Sequence, residues 1–224
     1  MEIKTFKIHP SSSGKIMGVK GLGKTGQSLC ETWLKEQIYG RKQQFTSKYT
    51  DKGLIVEDDS LDFTADHLGC GLLIKNETRY ENDFMKGTPD IVTPKFVLDV
   101  KNPSDCFTFP LFDDEVPNSD YYFQGQCYMN LTGVHAFKLV YVLSDTPANL
   151  IEREARYFAK QQGYDVDQQL MDEFVARMTY GGIDKRFKIR VFDIEYNPAA
   201  IEAIQNRVIE CRAYIDTLIE KINA

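Results

Sequence analysis

Residues 87–101 read GTPDIVTPKFVLDVK, a pattern of two short strands joined by a tight turn. β-Branched and aromatic residues lie on both sides of residues 93–95, which predicts a β-hairpin that turns there. A turn at this position sets Asp90 directly across from Asp99, with the two side chains roughly 4.5–5.5 Å apart. Because strand side chains alternate between two faces, Asp99 and Lys101 project to the same side. The hairpin is therefore expected to bring two carboxylates and an ammonium group together.

Two carboxylates at this separation repel each other unless a cation lies between them. Hard oxygen ligands favour Mg²⁺ or Mn²⁺ over zinc. The hairpin thus predicts a divalent metal site with the Lys101 ammonium beside it, which suits phosphoryl chemistry. A surface hairpin with an ordinary salt bridge would contain the same residue types, so these three residues alone leave both interpretations open.

The composition is that of a folded globular protein, with 224 residues, 42% hydrophobic content and a net charge of -6. The length fits one domain spanning residues 1–224. No stretch of about 18 apolar residues and no signal-peptide pattern occurs, so we expect a cytoplasmic protein that does not insert into a membrane. The negative net charge does not exclude DNA as a partner, because only the contact face of a nuclease needs to be basic.

Cysteine spacing indicates free thiols. The five cysteines are odd in number and widely spaced, at Cys30, Cys70, Cys106, Cys127 and Cys211. No C-x₂-C pair is present among them, so the sequence lacks the cysteine pattern of an iron–sulfur cluster.

Hydrophobic periodicity predicts strands and helices that alternate along the chain. Besides the hairpin, strands are predicted at residues 3–8, 72–74, 135–143 and 187–196. Helices are predicted at residues 25–40, 52–59, 120–132, 148–163, 166–180 and 198–222. Residues 9–15 and 102–120 are expected to be loops. This interleaving predicts an α/β fold with a central mixed β-sheet flanked by helices.

Further polar residues precede and follow the hairpin. Glu57, four residues after Gly53, supplies a third carboxylate upstream. Gln124 and Tyr128 are four residues apart in a predicted helix, so they share one helix face. Each of these features is common by itself, but their order along the chain is specific.

The chain therefore contains, in order, an upstream acid, a Pro-Asp pair, an acid two residues before a lysine, and a Gln-x-x-x-Tyr helix, at Glu57, Asp90, Asp99, Lys101, Gln124 and Tyr128. This order resembles the PD-(D/E)XK nuclease superfamily, in particular its RecB-like and phage lambda exonuclease (YqaJ-like viral recombinase) branch. The resemblance covers roughly residues 11–132. It implies a restriction-endonuclease-like core and a metal-dependent phage-type exonuclease that acts on double-stranded DNA ends in recombination. A structure-specific or non-specific endonuclease of the same fold is the alternative.

The resemblance implies a role for each hairpin residue. Asp90, Asp99 and the backbone carbonyl of Val100 would hold one Mg²⁺, with Mn²⁺ as an alternative. Glu57 would complete the metal site directly or through water. Lys101 would orient the attacking water and stabilise the charge that builds up on the phosphate. Asp99 stands where many relatives carry Glu, and either acid can bind the metal.

Other candidate residues surround this metal site. Gln124 would hydrogen-bond the attacking water or the DNA backbone, while Tyr128 is either a positioning group or a core residue. The loop containing Ser12, Ser13 and Lys15 resembles the amino-terminal serine motif of phage members and offers hydroxyl, N–H and ammonium donors to a phosphate. A polar turn without a ligand would have the same residues.

Two other functional classes are compatible with parts of the sequence. Residues 18–25, GVKGLGKT, match the phosphate-binding loop pattern G-x-x-x-x-G-K-[ST]. That loop requires a buried strand immediately before it, whereas residues 11–17 contain only two apolar positions, so a nucleotide site is the weaker interpretation. The other class is a non-catalytic DNA-binding module with the nuclease fold, which the complete set of acids and lysine disfavours.

The resemblance also implies partners. Members of this branch resect double-stranded DNA beside a phage single-strand annealing protein, and the lambda enzyme is a ring-shaped trimer. We therefore expect DNA as the substrate, an annealing protein and a homo-oligomer as partners, and a phage or prophage gene expressed in the bacterial cytoplasm.

Overall fold

The computed structural model describes residues 3–43 and 48–224. Its elements in chain order are a 3₁₀ helix Pro10–Ile16, α1 Lys24–Tyr39, α2 Lys48–Leu68, β1 Tyr80–Glu81, β2 Lys86–Gly87, β3 Ile91–Val92, β4 Val97–Lys101, α3 Ser119–Thr132, β5 Ala136–Val142, α4 Ala148–Gln162, α5 Gln168–Met178, a 3₁₀ helix Lys185–Phe187, β6 Ile189–Glu195 and α6 Pro198–Asn223. None of the described helices is long and apolar enough to cross a membrane.

The central sheet has the strand order β3-β4-β5-β6. The β3–β4 and β5–β6 pairs are antiparallel, whereas β4 and β5 run parallel. Adjacent residues of β5, Leu139 and Val140, are both fully buried although they face opposite sides of the sheet. The predicted α/β fold with a central mixed sheet flanked by helices is therefore confirmed.

The two faces of the sheet are covered by different helices. On one face, Val97 and Phe137 share a hydrophobic cluster with Met129 of α3. On the opposite face, Leu98 and Val140 pack with Leu61 of α2. Because Asp99 and Lys101 alternate with Leu98 along β4, they lie on the α3 face of the sheet.

Helix α3 is fixed at both ends and along its length. The side chain of Asn118 accepts a hydrogen bond from the Asp120 N–H at the start of α3, and α3 ends at Gly133, whose φ is 74°. Buried Gln126 then ties α3 to the end of β6, because it donates to the Glu195 carbonyl at 2.8 Å and accepts from the Asn197 N–H at 2.8 Å. These contacts hold α3 firmly over its face of the sheet.

Some local predictions were wrong. The alternating residues 3–8 do not form a strand; only Ile8 makes an isolated bridge, to Met85. Their apolar side chains pack between helices instead, as Phe6 does against Trp33 at a ring-centroid distance of 5.3 Å. Residues 72–74 likewise remain outside the sheet, and the neighbouring Lys75 makes a single bridge to Ile91.

Two further segments are more helical than expected. The predicted loop at residues 9–15 is largely the 3₁₀ helix Pro10–Ile16. The short helix predicted at residues 52–59 is part of α2, which extends from Lys48 to Leu68. The remaining predicted helices agree with the structure to within a few residues at their ends.

The close contact of α3 with β5 predicts the effect of enlarging Gly125. An added Cβ at Gly125 would lie 2.7 Å from the Phe137 ring, which is fully buried and has little room to shift. We expect Gly125→Ala to lower the free energy of unfolding by about 1–3 kcal/mol in urea denaturation. The matched control is Gly53→Ala in α2, where a Cβ meets nothing within 4 Å. This control should raise stability by up to about 1 kcal/mol, because alanine has the higher helix propensity; equal effects of the two substitutions would contradict the packing interpretation.

Candidate active site

The hairpin forms in the predicted register. Ile91 pairs with Leu98 and Val92 pairs with Val97. Continuing this register by one residue sets Asp90 across from Asp99. Thr93 closes the turn, since its backbone N–H and its hydroxyl both donate to the Phe96 carbonyl, at 2.9 and 2.7 Å. The backbone of the hairpin therefore brings the two acids together.

Asp99 is buried and contacted on both carboxylate oxygens. Only 2% of the residue is exposed. Its Oδ1 accepts a hydrogen bond from Gln124 Nε2 at 2.9 Å, and its Oδ2 lies 2.6 Å from Lys101 Nζ. The contact at Oδ2 is an ion pair whose geometry is not that of a hydrogen bond. Among the described residues, this buried oxygen therefore has no hydrogen-bond donor and can still accept one. A buried oxygen of this kind is a suitable cation ligand.

The neighbouring acid, Asp90, ionises less readily than an ordinary aspartate. Burial, and next the charge of Asp99, raise the pKa of Asp90 to about 7, although the Lys101 ammonium acts in the opposite direction. One lysine therefore does not compensate both carboxylates. Together with the free capacity of Asp99 Oδ2, this shortage of positive charge fits a hard divalent cation held by Asp90, Asp99 and the Val100 carbonyl.

Lys101 is held on two sides. Burial opposes its charge, but the Asp99 carboxylate outweighs burial and raises the pKa of Lys101 above its ordinary value. Its Nζ also lies 4.8 Å from the centroid of the Tyr121 ring. A cation over an aromatic face is attracted by the ring quadrupole, so Tyr121 restrains the ammonium beside Asp99.

Tyr121 was not identified from the sequence. It lies three residues before Gln124 in α3, so the two share a helix face. That spacing was the available signal, but the contact with Lys101 depends on how α3 packs on β4.

Gln124 and Tyr128 share one face of α3, as their spacing predicted, and that face lies against the hairpin. Tyr128 is 7% exposed, and its hydroxyl donates to the Thr88 carbonyl at 3.3 Å. Burial, followed by the charges of Asp99 and Asp90, raises the pKa of Tyr128 above its ordinary value, so the hydroxyl stays a donor. Tyr128 thus packs in the core and also fixes the segment that leads into Asp90.

Glu57 does not join the two hairpin acids. Helix α2, which carries it, packs on the opposite face of the sheet from Asp99. The Glu57 carboxylate forms an ion pair with Lys75 at 3.2 Å, and its charge contributes only weakly to the raised pKa of Asp90. Over residues 3–43 and 48–224, no three His, Cys, Asp or Glu side chains are arranged to hold a metal. The structure therefore does not support Glu57 as a direct ligand, and its action through water stays a prediction.

The serine segment is only partly accessible. Ser13 is fully buried, and its hydroxyl donates to the Pro10 carbonyl at 2.7 Å within the 3₁₀ helix. The prediction that Ser13 contacts a phosphate is wrong for this conformation, because the helical turn buries that hydroxyl. Ser12 is half-buried and Lys15 is exposed, so for these two residues phosphate contact stays a prediction.

The phosphate-binding-loop interpretation of residues 18–25 fails on its required context. A 3₁₀ helix, not a buried strand, precedes the glycines. The Gly18 carbonyl accepts a hydrogen bond from Arg207 at 2.8 Å, and α1 begins only at Lys24. The glycine segment therefore lacks the strand that shapes a nucleotide-binding loop.

Comparison with known proteins finds similarity among solved structures. No protein-family model and no curated protein sequence matches the chain. A phage-related exonuclease from Haemophilus somnus 129PT is 29% identical, with 98% of this chain and 97% of that chain aligned at a TM-score of 0.78. An alkaline exonuclease from Laribacter hongkongensis is 14% identical, with 97% of this chain and 91% of that chain aligned at a TM-score of 0.67. Its complex with dAMP aligns with the same TM-score at 15% identity, over 96% of this chain and 91% of that chain.

The raised pKa of Asp90 predicts how the metal-free protein responds to pH. A carboxyl group whose pKa rises from 3.8 to about 7 on folding binds its proton more tightly in the folded state. Its stabilising effect is therefore present below the unfolded value and is lost as pH rises through about 7. In EDTA, this group should lower the free energy of unfolding by up to roughly 4 kcal/mol over that range.

The matched control for this pH effect is Asp90→Asn. The difference in unfolding free energy between wild type and variant, measured by urea denaturation at a series of pH values, isolates the contribution of Asp90. Adding Mg²⁺ at pH values above the Asp90 transition should stabilise the wild type more than the variant. Parallel pH curves for the two proteins would contradict the raised pKa of Asp90.

Proposed function

We propose that this chain, which has the lambda-exonuclease-like PD-(D/E)XK fold, is a phage-type, metal-dependent exonuclease that degrades double-stranded DNA from its ends. The observation that carries the proposal is the cluster of Asp90, Asp99 and Lys101 on one hairpin, with Gln124 bound to Asp99. The similarity to a phage-related exonuclease over almost the whole chain supports the same reaction class.

Asp90, Asp99 and the Val100 carbonyl are the residues that would hold Mg²⁺, or Mn²⁺ in its place. Two observations support this assignment. Asp99 Oδ2 is buried and has no hydrogen-bond partner among the described residues, and the positive charge near Asp90 is too small to keep its pKa at the ordinary value. A divalent ion bound there would supply a water of lowered pKa and neutralise charge on the phosphate.

The protein's own groups account for the remaining chemistry. Lys101 stays protonated at neutral pH because its pKa is raised, so it acts as a fixed positive charge and an N–H donor rather than as a base. In this role it stabilises negative charge that develops on the scissile phosphate and donates a hydrogen bond to the attacking water. Gln124 donates one N–H to Asp99 and keeps a second N–H and a carbonyl for water or the DNA backbone.

The partners follow from the same family resemblance. DNA is the substrate of the proposed reaction. A phage single-strand annealing protein and a homotrimeric ring stay predictions, as does the cytoplasm of a bacterial host as the site of action.

Two DNA topologies test the proposal. Linear duplex and covalently closed circular duplex, each labelled, are incubated with the protein and Mg²⁺, and the release of nucleotides is measured. We expect degradation of the linear DNA alone, because only an exonuclease requires an end. Asp99→Asn is the matched control and should reduce cleavage by at least about 100-fold, since it removes a metal-binding charge and leaves the side-chain size unchanged.

Two other outcomes would overturn the assignment. Cleavage of the closed circle would favour the endonuclease alternative. Binding of DNA without cleavage in either Mg²⁺ or Mn²⁺ would instead favour a non-catalytic module.

The contact between Tyr121 and Lys101 predicts a positioning role for the aromatic ring. Tyr121→Leu should lower kcat for DNA cleavage roughly tenfold, because the variant has no ring face to restrain the ammonium. Tyr121→Phe keeps that face and should retain most activity.

Tyr122→Leu serves as the control for this comparison, since the Tyr122 hydroxyl contacts Asn197 and not the hairpin. Steady-state cleavage of linear duplex is the measurement for all three variants. Equal losses of activity in the Tyr121→Phe and Tyr121→Leu variants would show that the ring face is not what positions Lys101.

A further inference from the structure

A second group of charged residues lies on the β1–β2 hairpin, shortly before Asp90 in the chain. Glu81 of β1 pairs in register with Lys86 of β2. Lys7 approaches the same carboxylate at 2.8 Å, and Arg79 approaches it at 3.7 Å. Three cations therefore surround one anion. This face carries an excess of positive charge in a chain whose net charge is -6.

The excess charge is not neutralised elsewhere. In the described part of the chain, Lys86 has no ion pair within 4.0 Å. Burial, and next the Arg79 guanidinium, lower the pKa of Lys86. His9 beside this hairpin responds in the same direction, since burial and then Lys86 and Arg79 lower the pKa of its imidazole. Arg79 therefore opposes the charge of Lys86, and both oppose protonation of His9; an anionic ligand bound between them would relieve this repulsion.

The position of this face relative to the candidate active site is fixed by packing. The Lys86 N–H donates to the Ile8 carbonyl at 3.0 Å, which joins the hairpin to the amino-terminal segment. A Cβ on Gly87 would lie 2.8 Å from Pro10 and 3.2 Å from the Tyr128 ring, so the hairpin fits tightly against both. Tyr128 in turn holds Thr88 by its hydroxyl. The cationic face and the segment that leads into Asp90 are thus packed against the same residue, Tyr128.

The distance suits a neighbouring nucleotide. Lys86 is four residues before Asp90, so their backbones are at most about 13 Å apart. Successive nucleotides of one strand rise about 3.4 Å along B-form DNA. A strand whose scissile phosphate lies at Asp90 would therefore pass the cationic face within about four nucleotides.

We propose that the hairpin face formed by Lys7, Arg79 and Lys86 binds backbone phosphates of the DNA strand beside the bond that is cleaved. The inference rests on the proposed function and adds a binding site to it. Phosphates are the chemistry that this face recognises, because ammonium and guanidinium groups bind them without reading base sequence. Glu81 offsets part of the repulsion among these cations and thereby limits the affinity of the face for anions.

Substitutions that remove either a positive or a negative charge from this face test the inference. Binding of a linear duplex oligonucleotide is measured in EDTA, which prevents cleavage, over a series of NaCl concentrations. Lys86→Gln and Arg79→Gln should each weaken binding several-fold and reduce the slope of log Kobs against log salt by about 0.9 for each phosphate that the variant no longer neutralises. Glu81→Gln should act in the opposite direction and tighten binding, because it removes the carboxylate that lies among these cations.

A lysine on another element provides the control. Lys160→Gln changes the net charge by the same amount at an exposed position of α4 and should leave the salt slope unchanged. Equal slopes for the wild type and the Lys86 and Arg79 variants, or weaker binding by Glu81→Gln, would overturn the inference. If the wild type cleaves linear DNA while the slopes are equal, the proposed function stands and only this binding site fails. If the wild type neither binds nor cleaves DNA, both proposals fail.

Discussion

The repulsion between Asp90 and Asp99 is the interaction on which the rest of the site depends. The β3–β4 register brings the two carboxylates together, and burial raises the pKa of Asp90 to about 7. A protein that served only stability would not place two acids in this position, because each opposes ionisation of the other. Lys101 offsets part of this repulsion, and a divalent cation would offset the remainder. The site can therefore bind further positive charge, which is the property that the proposed metal-dependent reaction needs.

Close packing of α3 makes this arrangement possible. Gly125 lets the helix approach the Phe137 ring on β5, where any larger side chain would collide. That approach carries Gln124 to within 2.9 Å of Asp99 and sets the Tyr121 ring under Lys101. Buried Gln126 anchors the same helix to the end of β6. A core glycine and a core glutamine, neither of which contacts the acids, thus determine the geometry around them.

Charge is distributed unevenly over the molecule. The chain is acidic as a whole, yet three cations, Lys7, Arg79 and Lys86, lie around the carboxylate of Glu81. Local rather than net charge governs how a polyanion approaches a protein. Under the proposed function, a positive face beside the two acids would hold the DNA backbone and leave Asp90 and Asp99 free for a metal ion.

Much of the site was predictable because it is local in sequence. The facing of Asp90 and Asp99 follows from a short turn and the two-residue period of strands, and the shared face of Gln124 and Tyr128 follows from the helical period. The mixed α/β sheet was likewise predictable from the alternation of elements. These features depend on neighbours in the chain, so their residues carry enough information to specify them.

Only the tertiary structure decided the contacts between distant segments. The resemblance implied that Glu57 would complete the metal site, but α2 packs on the opposite face of the sheet, where Lys75 binds its carboxylate. The sequence also indicated that the Ser13 hydroxyl could contact a phosphate, but the 3₁₀ helix buries this hydroxyl against the Pro10 carbonyl. The contact of Tyr121 with Lys101 depends on how α3 packs against β4, so the sequence did not indicate it. The sequence by itself determined which residues lie side by side within each helix or strand. Packing between elements decided which of these residues line the same site. The sequence could not specify this packing, because burial and long-range contacts have no fixed period along the chain.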